Sequence, residues 1–365
     1  MKRKKTSVTA LVLIVSLTVS LLCSCGVPKV EVEGESAVFE DDCGRKVTVP
    51  AEISRIAPSG IVAQMILTAI APDLLVGLSS TPGSGQLRYL PEYYSELPTF
   101  GQFYGSKATL NLESLLAADA QIIIDLGDLK KGHAADMNRI QKQCGIPTVF
   151  LETALDRFAD AYRRLGRLLG REERGELLAA YVENTVETAK ALAAKIPEDE
   201  RLTVMYGSGT GGLNCNARGS VQADVIELVG GINAIVVPEK ELSNAGGGNT
   251  ISYEQLYNFD PDVILLSEGG PYSLLEDDPV WSELRAVREG RYYEIPCLPY
   301  NWMSNPPSVN RILGIWWLGN LLYPEVFDYD VAEKATEFYS LFYNTELTRG
   351  EAEAMLANSS GKRNS

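Results

Sequence analysis

The chain has 365 residues, 45% hydrophobic and 22% charged, which suits a folded chain of two ordinary domains and excludes a disordered or fibrous one. Its formal charge of −15 speaks against nucleic acid as a partner, because phosphates would be repelled. A single histidine, His133, excludes a histidine-rich metal site and leaves any Ser-His-Asp or Cys-His mechanism one candidate.

The chain opens with Lys2, Arg3, Lys4 and Lys5, then a charge-free run over residues 8–22. That run is shorter than the ~20 residues of a membrane-crossing helix. A basic start before a short apolar stretch reads as a secretory signal, residues 1–24. Leu22, Ser24, Cys25 and Gly26 resemble the lipobox of bacterial lipoproteins. The resemblance implies cleavage before Cys25, its diacylation, and anchoring outside the cytoplasm; two acyl chains hold where one is marginal. Cys23 is the poorer candidate, because Leu22 would occupy the position that a small residue should fill. Residues 25–36 carry Pro28, Lys29, Glu31, Glu33 and Glu35 without apolar periodicity, so they read as a solvated tether.

Beyond it, short apolar runs alternate with helical patterns. Residues 61–70 predict a helix, 75–78 a strand and 112–118 a helix. Residues 122–124 predict a buried strand, 137–143 a helix and 148–151 a strand. Strands that alternate with helices, and are apolar throughout, imply mostly parallel sheets covered on both faces. A helical stretch over residues 154–195 follows, with Gly170 and Gly175 read as breaks and Pro197 as its end. The alternation then restarts, with strands at 202–206, 234–237, 263–266 and 292–295, and helices at 221–229, 253–259 and 308–322. Glu113, Leu115, Asp119 and Ile122 recur in spacing as Glu254, Leu256, Asp260 and Val263. The restart and this echo predict an α/β chain of two similar lobes, 37–170 and 198–350, joined by a long helix within 171–197. Residues 351–365 read as a disordered tail.

Gly207, Gly209 and Gly212 formally match G-x-G-x-x-G after a predicted strand. No apolar helical stripe opens within that loop, so a dinucleotide site is rejected in favour of a glycine loop admitting close backbone approach. His133 falls in a polar stretch and reads as solvated; the rival of another class is an exported α/β hydrolase that uses it. Cys43, Cys144, Cys215 and Cys297 lack metal-ligand spacing and are assigned no role. Aromatic residues cluster after predicted strands, at Tyr104, Tyr206, Tyr272, Tyr300 and Trp302, where open α/β sheets gather ligands. Trp302 and Tyr300 could equally plug the lobe edge. Trp316 and Trp317 lie in an apolar helical run and read as core.

Taken together, several motifs resemble the metal-chelate class of bacterial ABC-transporter substrate-binding lipoproteins, which captures ferric siderophores, haem and cobalamin. They are Asp42, Gly44, Arg45 and Val47 to Pro50 before Arg55 and Ile56; Leu112 and Glu113 before Asp119; Gly219, Ser220 and Gln222 leading to Glu227 and Gly230 to Asn233; and Trp302 with Pro307 and Ser308 before the closing helix. The resemblance implies a ligand cleft between two lobes with a rigid bridge, no catalysis and no cofactor, a monomer, and a permease dimer as partner. It implies docking glutamates at Glu113 and Glu227, which meet arginines of the transporter. A bare zinc or manganese ligand does not fit one histidine. A siderophore-type iron chelate would use Arg88, Tyr104, Tyr206, Tyr300 and Trp302, and Asn301 is a further pocket candidate. A molybdate or tungstate oxyanion would use backbone N–H groups of residues 246–250, with Asn249, and the Ser208 hydroxyl; haem and corrinoids remain alternatives.

Overall fold

In the computed structural model, which describes residues 31–33, 35–105, 108–243, 247–304 and 306–360, the chain builds two α/β lobes around one another's helices. The signal at 1–24, Cys25 and residues 361–365 lie outside the described residues. Strands β1 (Glu31–Glu33), β2 (Ser36–Glu40) and β3 (Lys46–Pro50) form an antiparallel sheet. The expected tether is therefore shorter than residues 25–36, because residues 31–33 pair with β2. β2 and β3 alternate buried and exposed positions, placing Ala37, Phe39, Val47 and Val49 in the core.

The first lobe's parallel sheet is β4 (Ile56–Pro58), β5 (Ile122–Gly127) and β6 (Thr148–Glu152). The β5 residues Ile122, Ile123 and Ile124 are buried on both faces, as a central parallel strand requires. The expected strand at 75–78 survives only as single bridges, Ile56 with Leu75 and Leu78 with Thr99. Helices α1 (Ile61–Ile70), α2 (Ser84–Leu87), α3 (Leu112–Ala117) and α4 (His133–Cys144) complete this lobe.

Two further helices, α5 (Phe158–Leu169) and α6 (Glu172–Ala193), bridge to the second lobe. Gly170 breaks them, at φ +62°, a left-handed position that suits glycine. Gly175 does not break the helix as the sequence suggested. It sits inside α6, where a Cβ would lie 2.7 Å from the Tyr162 carbonyl and 2.9 Å from the Gly166 Cα. That glycine lets α5 and α6 pack backbone to backbone.

The second lobe holds a six-stranded sheet of β7 (Thr203–Ser208), β8 (Asn214–Cys215), β9 (Ile232–Asn233), β10 (Asn249–Thr250), β11 (Val263–Leu266) and β12 (Tyr292–Glu294). β9, β7, β11 and β12 are mutually parallel; β8 turns back antiparallel on β7. The strand expected at 234–237 is instead β9, two residues earlier and shorter, after which Ala234 donates a single bond to the Val204 carbonyl. Helices α7 (Asp224–Leu228), α8 (Tyr253–Phe259), α9 (Arg285–Arg288), α10 (Asn310–Leu322), α11 (Val331–Tyr343) and α12 (Arg349–Met355) surround it.

The region read as a disordered tail is folded as far as residue 360. Thr348 caps α12, Ser359 is buried, and the Trp317 indole donates to the Ser359 carbonyl at 2.8 Å. One continuous hydrophobic core runs from β4 and β5 through α5, α6, α10 and α11 to β7 and β11. Satellite cores lie on the outer face of each sheet. A shared core of this kind couples the lobes, since relative rotation would expose buried apolar surface.

Candidate functional site

The carboxyl ends of the parallel strands in the two lobes face a cavity of about 370 Å³. The first lobe contributes Ile61, Gln64 and Met65 from α1, with Ser80, Pro82 and Gln86. The second contributes Ser267 and Glu268, which follow β11, and Cys297, Pro299, Tyr300, Asn301 and Pro306, which follow β12. Gln86 bridges the lobes at the cleft, its Nε2 donating to the Pro299 carbonyl at 2.9 Å.

Most carboxamide groups here serve the protein itself. Gln64 Oε1 accepts from the Ser79 backbone N–H and hydroxyl and from the Ser80 N–H, while its Nε2 donates to the Ser80 carbonyl. Gln86 Oε1 accepts from the Gly83 N–H, and Asn301 Oδ1 accepts from the N–H groups of Met303 and Ser304. These bonds hold the cleft walls before any ligand arrives. Cys297 presents a thiol whose pKa is pushed up to about 12, chiefly by burial and then by its hydrogen bond to Glu268. No group of three His, Cys, Asp or Glu side chains among the described residues could hold a metal ion.

Only two of the eight residues expected to line the pocket, Tyr300 and Asn301, line this cleft. Arg88 points away: it pairs with Glu351 and lies over the Tyr89 ring. Tyr206 is fully buried and donates to the Ser304 carbonyl at 3.1 Å, so it braces the loop behind Asn301. Trp302 is also fully buried, donating to the Leu298 carbonyl, and plugs the lobe edge. Ser208 donates to the Asn214 carbonyl inside the β7–β8 hairpin, and Asn249 ties β10 to Glu241 and Ser243. The glycine loop is thus a hairpin turn; a Cβ on Gly207 would meet the Gly212 carbonyl at 2.3 Å. Gly246 lies outside the described residues.

Tyr104 belongs to a second polar cluster. Its hydroxyl donates to Asp125 Oδ2 at 2.8 Å, and His133 Nε2 lies 2.7 Å from the same oxygen. Ser59 Oγ donates to Asp125 Oδ1. Burial and the Asp125 carboxylate hold the Tyr104 phenol above its ordinary pKa. His133 is not solvated as the sequence suggested. It opens α4 and is buried on the same stripe as Met137, Ile140 and Cys144. Ser59 and His133 both address one carboxylate and share no hydrogen bond, so they do not form the nucleophile–base relay of a hydrolase. The cluster instead ties the Phe103–Tyr104 stretch to β5, with Phe103 N–H also donating to the Ser59 carbonyl, one residue before α1 is capped.

Glu113 on α3 and Glu227 on α7 are both exposed, one on each lobe. The sequence reading missed Gln64, Gln86, Glu268 and Cys297 as cleft residues. Glu268 and Cys297 were accessible to it in principle, since each lies just past the carboxyl end of a parallel strand.

A family model described as periplasmic binding protein matches residues 91–297. An ABC transporter solute binding protein from Sulfurospirillum deleyianum shares 28% identity and a TM-score of 0.78, over 88% of this chain and 99% of that one. A periplasmic solute binding protein from Veillonella parvula shares 24% identity and a TM-score of 0.73, over 88% of this chain and 98% of that one. The molybdate-bound protein MolA from Haemophilus influenzae shares the fold, with a TM-score of 0.70 at 19% identity over 85% of this chain and 99% of that one. A search of curated proteins found no match.

Proposed function

The chain belongs to the periplasmic binding protein family, and from that premise we propose that it is the extracytoplasmic receptor of an ABC importer that captures a siderophore-type iron chelate. The observation that carries this reading is the interlobe cleft itself. Its walls come from both lobes, its carboxamides are mostly committed to the protein, and its described residues include no metal-ligating cluster. A chelate that brings its own metal ligands suits such a cleft better than a bare ion. An oxyanion suits it less well, because Ser208 and Asn249, the polar groups expected to receive one, are bonded elsewhere.

The protein acts as a single copy, tethered by a diacylated Cys25, and delivers its ligand to a permease dimer. Glu113 and Glu227 engage arginines of that permease; two charged points far apart in sequence, one per lobe, would steer and orient docking. The continuous core between the lobes favours capture with small movements rather than wide hinge closure.

The test is a titration of purified protein with a ferric trihydroxamate, haem, a corrinoid and molybdate, read by melting temperature and intrinsic fluorescence. A ligand at a hundredfold excess over its Kd stabilises the fold by about 2.7 kcal/mol. A shift with the iron chelate and not with molybdate is expected. No shift with any of the four would overturn the proposal.

A further inference from the structure

The charge of the cleft carries a further statement, which rests on the receptor reading. Among the described residues lining the cleft, Glu268 is the one with a charged side chain. It is exposed, in the loop that leaves the carboxyl end of β11, and it lines the cleft beside Cys297 on the loop after β12. Arg88, the cation nearest in sequence to the cleft residue Gln86, is held outside by Glu351. Both ends of the Gln64 and Gln86 carboxamides are bonded within the protein, which leaves the Tyr300 hydroxyl, among the described residues, as the buried cleft donor without a partner. The whole chain adds a negative field, with a formal charge of −15.

We infer that Glu268 is the charge-selecting residue of the cleft, and that the ligand is a metal complex carrying a positively charged group at the end that meets the Ser267–Cys297 wall. A protonated amine fits that role: it donates to the carboxylate, and the negative field speeds its approach. An anionic complex meets repulsion from Glu268, the one charged side chain among the described residues that line the cleft.

Three ferric trihydroxamates that differ only at one terminus test this: a free ammonium, its N-acetylated neutral form and its N-succinylated anionic form. Affinities are read by fluorescence quenching at low and high salt. The cationic form should bind about fivefold tighter than the neutral one, and the anionic form weaker again, as for a partly exposed ion pair. Glu268→Gln should bring the cationic and neutral forms together, shrinking their about fivefold difference toward one. Raising the salt should shrink the preference in the unaltered protein, a readout that needs no variant. Equal binding of all three, tightest binding of the anionic form, or a preference untouched by Glu268→Gln would overturn the inference and leave the receptor reading standing. Binding of none would overturn the iron-chelate reading and the inference with it.

Discussion

Arg311 on α10 reaches across the lobe boundary, and its loss is the most informative perturbation of the fold. Its side chain is 2% exposed. The guanidinium donates to the Thr153 carbonyl, just past β6 in the first lobe, and pairs with Asp224 of the second lobe at 3.3 Å. It also lies over the Phe158 ring. Arg311→Met keeps the apolar packing and removes both polar contacts. The Thr153 carbonyl is then left without its partner, which costs about 1–3 kcal/mol. Asp224 is 32% exposed on its side chain, so water takes over part of its solvation. The total should fall near 2–4 kcal/mol, below the ~5 kcal/mol that breaking a fully buried pair can cost. With a urea slope of about 3 kcal/mol/M, the unfolding midpoint should drop by about 1 M. Arg311→Lys should fall between the two, since a single ammonium lacks the planar fork that serves both acceptors. Because the strut also sets the spacing of the lobes, ligand affinity should weaken with Met and less so with Lys. A midpoint for Arg311→Met indistinguishable from the unaltered protein would refute the claim that this arginine ties the lobes together.

Reversing the charge of both Glu113 and Glu227 to Lys should stop import in whole cells while ligand binding by the purified protein stays intact; unchanged import would remove them as docking residues. Cys297, with its pKa near 12 against an ordinary 9.0, should react with iodoacetamide at neutral pH about a thousandfold more slowly than a free thiol, and bound ligand should slow it further. Peptide mapping by mass spectrometry reads this rate, and labelling as fast as glutathione would contradict a half-buried thiol with a raised pKa. Burial would raise the pKa of Asp262, but hydrogen bonds from the Thr203 N–H and hydroxyl and from Arg285 outweigh it and hold the carboxyl below its ordinary 3.8. Its stabilising contribution is therefore present above pH 3.8 and lost as pH falls through the lower folded-state value, so Asp262→Asn should flatten the acid limb of a urea midpoint against pH curve below about pH 4; an unchanged limb would count against it. Gly314→Ala would place a Cβ 1.9 Å from the Trp302 carbonyl, backbone that cannot swing aside, and should cost about 1–3 kcal/mol in a thermal melt while displacing the loop that carries Tyr300.

Most parallel strands were legible because burial on both faces leaves them apolar without alternation: residues 122–124 and 263–266 stand out by composition alone. The short edge pieces were not. β8 and β10 hold two residues each, too few for a period to register. His133 opens its helix four residues before the apolar pattern at Met137 becomes dense, so the sequence reads it as loop. Spacings of four, three and four residues from His133 to Met137, Ile140 and Cys144 trace one helical face, and Gly132, at φ +86°, marks where that helix starts. Arg88, Tyr206 and Trp302 were plausible cleft residues by type and by loop position. The partners of Arg88 and Tyr206, Glu351 and Ser304, lie 263 and 98 residues away, which no local pattern encodes, and Trp302 is placed by its burial in the core.

By itself, the sequence determined the alternation of buried strands and amphipathic helices and the restart that makes two lobes. These depend on periodicity and on neighbours a few residues apart, where side-chain direction follows from backbone geometry. Tertiary structure alone decided which side chains face the cleft and which are spent holding it open. Whether Gln86 meets Pro299, or Cys297 meets Glu268, depends on how two lobes distant in sequence are pressed together by one continuous core.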